Sequence, residues 1–197
     1  MRSTSLPTAV RWSHLVLGPR LSPGDIVVDA TAGNGHDTVF LARHVSPGGK
    51  VYAFDVQQAA VASTRARLDT ELSDVPHDFV TLIHASHQEL ERLPAEQKGN
   101  VRAFMFNLGF LPGGDKSVIT QGGETLASLT LALAWLAYDG VITVTAYPGH
   151  EGGREEAENV EKWMAALPSD RYETQKIGFL NFRSSTPYLM ILRKRTP

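Results

Sequence analysis

The stretch IVVDATAGNGHDTVFLA, residues 26–42, decides how the rest of the chain is read. It opens with a short continuous apolar run, residues 26–29. Such a run, apolar on consecutive positions, is what a strand covered on both faces requires. Gly33 and Gly35 follow. They permit a tight turn and let a ligand come close to the backbone. A helix then runs through Phe40 and Leu41. Strand, glycine turn and helix together open an α/β unit whose ligand sits beyond the strand's carboxyl end.

Outward from this unit, apolar runs and helical patterns alternate. Further strands are predicted at residues 51–54, 79–83, 101–106, 141–145, 172–179 and 188–193. Ahead of them, Trp12, Leu15, Val16 and Leu17 form a first apolar cluster in a fold beginning near Ala9. Val61, Leu68 and Leu72 share one helical face. Leu126, Leu129, Leu133 and Leu136 follow amphipathic spacing, and Asp139-Gly140 is the predicted end of that helix. Val160, Trp163, Met164 and Leu167 make another face, with Glu155, Glu156 and Glu158 suited to the positive end of its dipole and Pro168 as its stop. Residues 89–100 read as a polar surface connection. The fold class is therefore α/β: a Rossmann-like, roughly seven-stranded, mostly parallel sheet. The last two strands lack a helix between them and form a hairpin that puts an antiparallel strand near the edge, the architecture of the common methyltransferase fold. No repeat or linker divides the chain, so residues 1–197 are expected to form a single domain.

The bulk numbers narrow the chemistry. A hydrophobic fraction of 42% and a charged fraction of 20% belong to an ordinary globular chain. A net charge of −2 means that any contact with nucleic acid must come from a local patch. The chain has no cysteine, which excludes disulfides, thiolate metal sites and cysteine nucleophiles. No apolar run is long enough to cross a bilayer, and no membrane partner is expected. The basic, acid-free residues 1–20 faintly resemble a transit peptide, but the apolar cluster in them argues for fold, and a cytoplasmic location is expected.

At the glycine turn, the dinucleotide fingerprint wants a third glycine where Thr38 stands. The strand also ends in an acid, Asp29. A carboxylate repels a pyrophosphate and attracts an ammonium group, so the turn favours S-adenosylmethionine over a nicotinamide cofactor. Asp55, ending the second strand, suits the two ribose hydroxyls. Val56 and Gln57 would cover and edge the adenine, and Ser86 or His87 would bond its exocyclic amine. Thr31, Asn34 and Asp37, with Thr38, complete the candidate cofactor set. Asp29 and Asp55 can alternatively cap turns, and His87 can be a loop histidine without a ligand.

The fourth strand leads into Phe106-Asn107-Leu108-Gly109-Phe110-Leu111-Pro112-Gly113-Gly114-Asp115-Lys116. Amino-group methyltransferases often place Asp or Asn before a Pro-Pro-aromatic turn here, and Asn107 with Phe110 and Pro112 is a stretched form of it. A neutral amide can accept a bond from the target amine without favouring its unreactive ammonium form. Asp115, Tyr147 and His150 are candidates to take the proton, or else Asp115 and His150 are turn residues. His150-Glu151 and His84/His87 lack metal-ligand spacing, so no metal is expected.

Four segments carry a resemblance: DATAGNGHDTVFLA, VYAFDVQ, FNLGFLPGGDKSVIT and YPGHEGG, supported by SHQEL and STPYLMILRK. They are similar to the small methyltransferases labelled rRNA methylases, across essentially the whole chain. The resemblance implies a tRNA wobble-uridine methyltransferase that converts 5-aminomethyl-2-thiouridine to 5-methylaminomethyl-2-thiouridine, with S-adenosylmethionine as cofactor. Two departures stand out: Phe110 replaces a usual tyrosine, and Gln121-Gly122-Gly123 replaces a stretch richer in Thr and Lys. With an anticodon stem-loop as partner, Lys116, Arg154, Arg183 and the run Arg193-Lys194-Arg195 would meet phosphates, unless that run is a solvated tail. Gly109, Phe110, Leu111, Pro112, Tyr147 and Phe182 would border or stack on a flipped nucleotide. An exposed aromatic edge would support a homodimer. Methylation of rRNA or of a small amine is the competing enzymatic reading, and a non-catalytic binding module the competing class.

Overall fold

The computed structural model describes residues 5–74, 76–109 and 122–196. Among the described residues, seven strands form one sheet: β1 (Ile26–Asp29), β2 (Lys50–Asp55), β3 (Val80–His84), β4 (Val101–Leu108), β5 (Leu136–Ala146), β6 (Tyr172–Ile177) and β7 (Tyr188–Lys194). Their order is β3-β2-β1-β4-β5-β7-β6. The first five are mutually parallel, and β7 runs antiparallel between β5 and β6. This is the Rossmann-like sheet with a terminal hairpin expected from the sequence.

Strand pleating sends alternate residues to opposite faces. Val28, Phe54, Phe104 and Phe106 enter one core layer, closed by Leu129, Ala132 and Trp135 of α4 (Gly122–Trp135) and by Ala157, Val160 and Met164 of α5 (Gly153–Ala165). Val27, Val51, Ala103 and Met105 enter the other. There Leu17 of α1 (Ala9–Leu17), Leu41 and Val45 of α2 (His36–Val45) and Leu68 of α3 (Gln58–Glu71) cover them. Apolarity on consecutive strand residues is thus explained by two covered faces. Each fully buried Leu or Phe contributes about 1.5–3 kcal/mol of transfer free energy.

Several boundaries differ from the sequence reading. The fourth helix stops at Trp135, and Leu136 belongs to β5, paired with Val101. Asp139-Gly140 does not end a helix. Asp139 takes a φ of 59°, and residues 137–140 bulge where β5 passes Arg102. Residues 89–100 are mostly exposed, as a surface connection should be, and two 3-10 turns anchor them by burying Leu90, Leu93 and Gln97. Phe179 lies beyond β6 rather than within it.

At the glycine turn, Gly35 is the N-cap of α2 with a φ of 80°. A Cβ there would stand 2.9 Å from the Thr64 Cα, so the position requires glycine for both its torsion and the approach of α3.

Candidate functional site

Five parallel strands bring their carboxyl ends to one edge, and a cavity of about 470 Å³ opens there. That volume suits a cofactor-sized ligand. The loop after β1 and the start of α2 supply Thr31, Gly33, Asn34 and Asp37 to its wall; Asp55, Val56 and Gln57 come from the end of β2 and just beyond it, and Ser86 and His87 after β3. Asn107 and Gly109 line it from β4 and just beyond, and Tyr147 and His150 from the loop after β5. Val10, His36 and Glu124 also line the cavity and were not anticipated.

The loop is held from two sides. Thr64 Oγ1 donates to the Gly33 carbonyl at 3.1 Å, Arg67 Nε to the Asn34 carbonyl at 2.5 Å, and Ser63 Oγ to Asn34 Oδ1 at 3.2 Å. Asp55 accepts from the amides of Gly33 and Gln57, each at 2.9 Å, and so ties the two loops together. A carboxylate has about four lone-pair sites, so these two bonds leave acceptor capacity at the cavity wall.

Asp29 and Asp37 divide the work differently from the sequence reading. Asp29 is fully buried and is not among the cavity-lining residues. Its carboxylate lies beneath the loop, accepting from the Thr31 amide at 3.2 Å and from Thr38 Oγ1 at 2.6 Å. Thr38 and Gly35 are likewise absent from the wall and shape the turn. Burial first, then the charge of Asp37, push the Asp29 carboxyl up to about 7, against the bonds from Thr38 and Thr31 that favour its ionised form. The acid that faces the cavity from this segment is Asp37. One of its oxygens meets His14 Nε2 at 2.5 Å, and the other accepts from Asn107 Nδ2. His14 was missed because nothing local marks it; the contact spans 23 residues.

Asn107 is the centre of the site. Its backbone amide donates to Thr31 Oγ1 at 2.8 Å, and its side-chain amide donates to Asp37. Its Oδ1 is buried and has no partner among the described residues. Unsatisfied buried acceptors are rare in native folds and call for a reason. Beside it, a Cβ on Gly109 would stand 3.2 Å from the Tyr147 ring. Burial, then the charge of Asp37, push the Tyr147 phenol up. His150 sets its ring nitrogens 2.9 Å from the Glu151 carbonyl and 3.4 Å from that of Leu108.

His87 is a buried group with defined hydrogen-bond roles. Ser128 Oγ donates to the Glu124 carbonyl at 2.9 Å, so it accepts from His87 Nδ1 at 2.7 Å. Nε2 is then the acceptor. Burial lowers the His87 pKa and keeps the ring neutral.

The connection between β6 and β7 reaches the same edge. Arg154 donates to Ser184 Oγ at 3.2 Å, and a Cβ on Gly149 would stand 3.0 Å from the Ser185 carbonyl. Arg183 and Phe182 therefore belong to the cavity's side of the sheet. Phe182 is exposed and stacks on Phe179 at 4.3 Å. The run Arg193-Lys194-Arg195 does not. Antiparallel β7 carries it to the opposite edge, where Arg193 pairs with Asp139 and Glu173 and Lys194 bonds the Leu136 carbonyl. Phe110, Leu111, Pro112, Asp115 and Lys116, with Gln121 of the second departure, lie outside the described residues. Among the described residues, no helix is long and apolar enough to cross a membrane, and no three His, Asp or Glu side chains are grouped to hold a metal.

Comparison with known proteins agrees with this geometry. The family model described as "Putative rRNA methylase" matches residues 51–193. The chain is 38% identical to the Arabidopsis thaliana protein named tRNA (mnm(5)s(2)U34)-methyltransferase, chloroplastic, over 95% of this chain and 69% of that one. A crystal structure from Clostridium thermocellum, described as a "putative rRNA-methylase", matches with a TM-score of 0.89 at 37% identity, covering 96% of this chain and 99% of that one. A Streptococcus mutans protein described as a "putative methyltransferase" and solved in complex with SAH matches with a TM-score of 0.83 at 33% identity, covering 96% and 99%. With its sheet order, its cleft and these relatives in agreement, the chain belongs to the "Putative rRNA methylase" family of methyltransferases.

Proposed function

We propose that this S-adenosylmethionine-dependent methyltransferase acts on tRNA, N-methylating 5-aminomethyl-2-thiouridine at the wobble position to 5-methylaminomethyl-2-thiouridine. The observation that carries the reading is Asn107 Oδ1, a buried acceptor at the end of β4 without a partner among the described residues. The named activity of the Arabidopsis relative supplies the substrate.

The wall of the cavity fits the cofactor's groups. Asp55 would accept from the ribose hydroxyls, His87 Nε2 from the adenine amine, and Asp37 would face the methionyl ammonium. Val56 and Gln57 would border the adenine, with Ser86 beside His87. The bound cofactor supplies an electrophilic methyl group on a sulfonium. The chain's task is then to position the amine and exclude water. Asn107 Oδ1 would accept an N–H of the incoming primary amine, so that its lone pair faces the methyl group. The amide is neutral and does not favour the protonated amine. Tyr147, whose phenol pKa is pushed by burial still further above neutral pH, serves as a wall of the amine's site rather than as its base. Arg154 and Arg183 would meet phosphates of an anticodon stem-loop, and Phe182 would stack a base.

The reading includes a cytoplasmic enzyme whose 197 residues act as one domain. It also includes a homodimer, for which the exposed Leu180 and Phe182 offer an apolar edge; sedimentation of L180E against wild type tests that element. The test of the whole is Asn107→Ala. Turnover falls by two orders of magnitude or more while cofactor affinity stays within about threefold, as expected when a positioning contact is removed. Wild-type turnover in N107A would remove Asn107 from the mechanism.

A further inference from the structure

The acceptor oxygen of Asn107 is useful only if the amide keeps one orientation. Rotation by half a turn would present Nδ2 to the amine, a donor facing a donor. Asp37 opposes that rotation, because a carboxylate accepts from Nδ2 and repels Oδ1. Asp37 must itself be held, and three features converge on how. Its second oxygen meets His14 Nε2 at 2.5 Å. The His14 ring lies flat on Phe40, with centroids 4.0 Å apart and planes within 1°. Phe40 sits three residues after Asp37 on the same helix, so one face of α2 presents both the carboxylate and the ring that clamps the imidazole. The pair is largely withdrawn from water, with 19% of the His14 side chain and 7% of the Asp37 side chain exposed. Val10, one turn before His14 on α1, lines the cavity.

We propose that His14 is a positioning residue for methyl transfer: through Asp37 it fixes the Asn107 amide with its oxygen toward the target amine. The inference rests on the reading that Asn107 receives that amine. It assigns α1 a role in the reaction site that neither the glycine turn nor the strand-end acids suggest.

The test combines kinetics with a spectrum taken without cofactor. In His14→Ala, kcat falls by about 10- to 100-fold, the scale of a small misplacement at a reacting centre. Cofactor affinity and the KM for tRNA stay within about threefold, as they do when only transition-state contacts are lost. His14→Gln, whose amide offers Asp37 an N–H at similar reach, recovers kcat to within about threefold of wild type. In the Asn107→Ala background, His14→Ala costs nothing further, because the two act as one unit. In a 1H–15N spectrum of the cofactor-free protein, the Asn107 side-chain pair shifts in H14A and returns in H14Q.

Equal losses from H14A with and without Asn107, or an unmoved Asn107 resonance, would overturn the proposal. A loss in H14A that tracks cofactor affinity would also overturn it and make His14 a binding-site support. Failure of the underlying reading looks different: N107A would turn over like wild type, whatever H14A does.

Discussion

Asp29→Asn tests whether the acid at the end of β1 supports the turn at a cost in stability. The Asp29 side chain is fully buried, and its carboxyl is raised from 3.8 to about 7 by burial and then by the charge of Asp37. A raised folded-state pKa means that the folded protein binds more protons than the unfolded chain between those values. Stability is therefore fully present below the unfolded pKa and is lost as pH rises toward 7. About three pH units at 1.36 kcal/mol each set the loss on the order of 4 kcal/mol. Asparagine removes that loss. It keeps one acceptor where aspartate serves both Thr31 and Thr38, which costs about 1 kcal/mol. D29N should therefore be slightly less stable than wild type near pH 4 and more stable by roughly 3 kcal/mol at pH 8. Urea unfolding of the cofactor-free proteins, followed by the fluorescence of the three tryptophans, reads the difference. A difference that stays flat from pH 4 to 8, or a wild type that gains on the variant as pH rises, would refute the reasoning.

Three further outcomes are expected. Gly35→Ala combines a φ of 80° with a Cβ 2.9 Å from the Thr64 backbone and should destabilise by about 2–5 kcal/mol in a denaturant melt. Asp55→Ala removes the acceptor that ties Gly33 to Gln57 and faces the ribose; calorimetry with SAH should show affinity weakened by about 10- to 100-fold. Arg154→Ala and Arg183→Ala should each raise the KM for tRNA and lower the salt slope of binding by about one, while Arg193→Ala, at the opposite edge, leaves both unchanged.

The sequence made the first βαβ unit legible because its signals are local: an apolar run, two glycines and a helix within seventeen residues. It was equally direct about Asp55 and Asn107, which end or nearly end strands that can be read from composition. Three misreadings share a cause. Leu136 continues the helical spacing of Leu126, Leu129 and Leu133, and only pairing with Val101 reveals it as strand. The direction of the Asp29 carboxylate is set by Thr38, nine residues on, which draws it beneath the loop. The Arg193-Lys194-Arg195 run looked suited to phosphate, but the antiparallel course of β7 takes it away from the cleft. In each case a tertiary contact decided between two outcomes that the local pattern leaves equivalent. His14 belongs with these: a lone histidine on a short amphipathic helix carries no mark of the carboxylate it meets across the fold.

The central claim is most directly tested by incubating the protein with labelled S-adenosylmethionine and tRNA from cells arrested at the aminomethyl-uridine stage, then digesting the tRNA and weighing its nucleosides. One added methyl group is expected on the 5-aminomethyl-2-thiouridine of the wobble position, at a rate lower by about a hundredfold or more in N107A. Label appearing only in rRNA or in a small amine, with that nucleoside unchanged by a protein that binds cofactor, would contradict it.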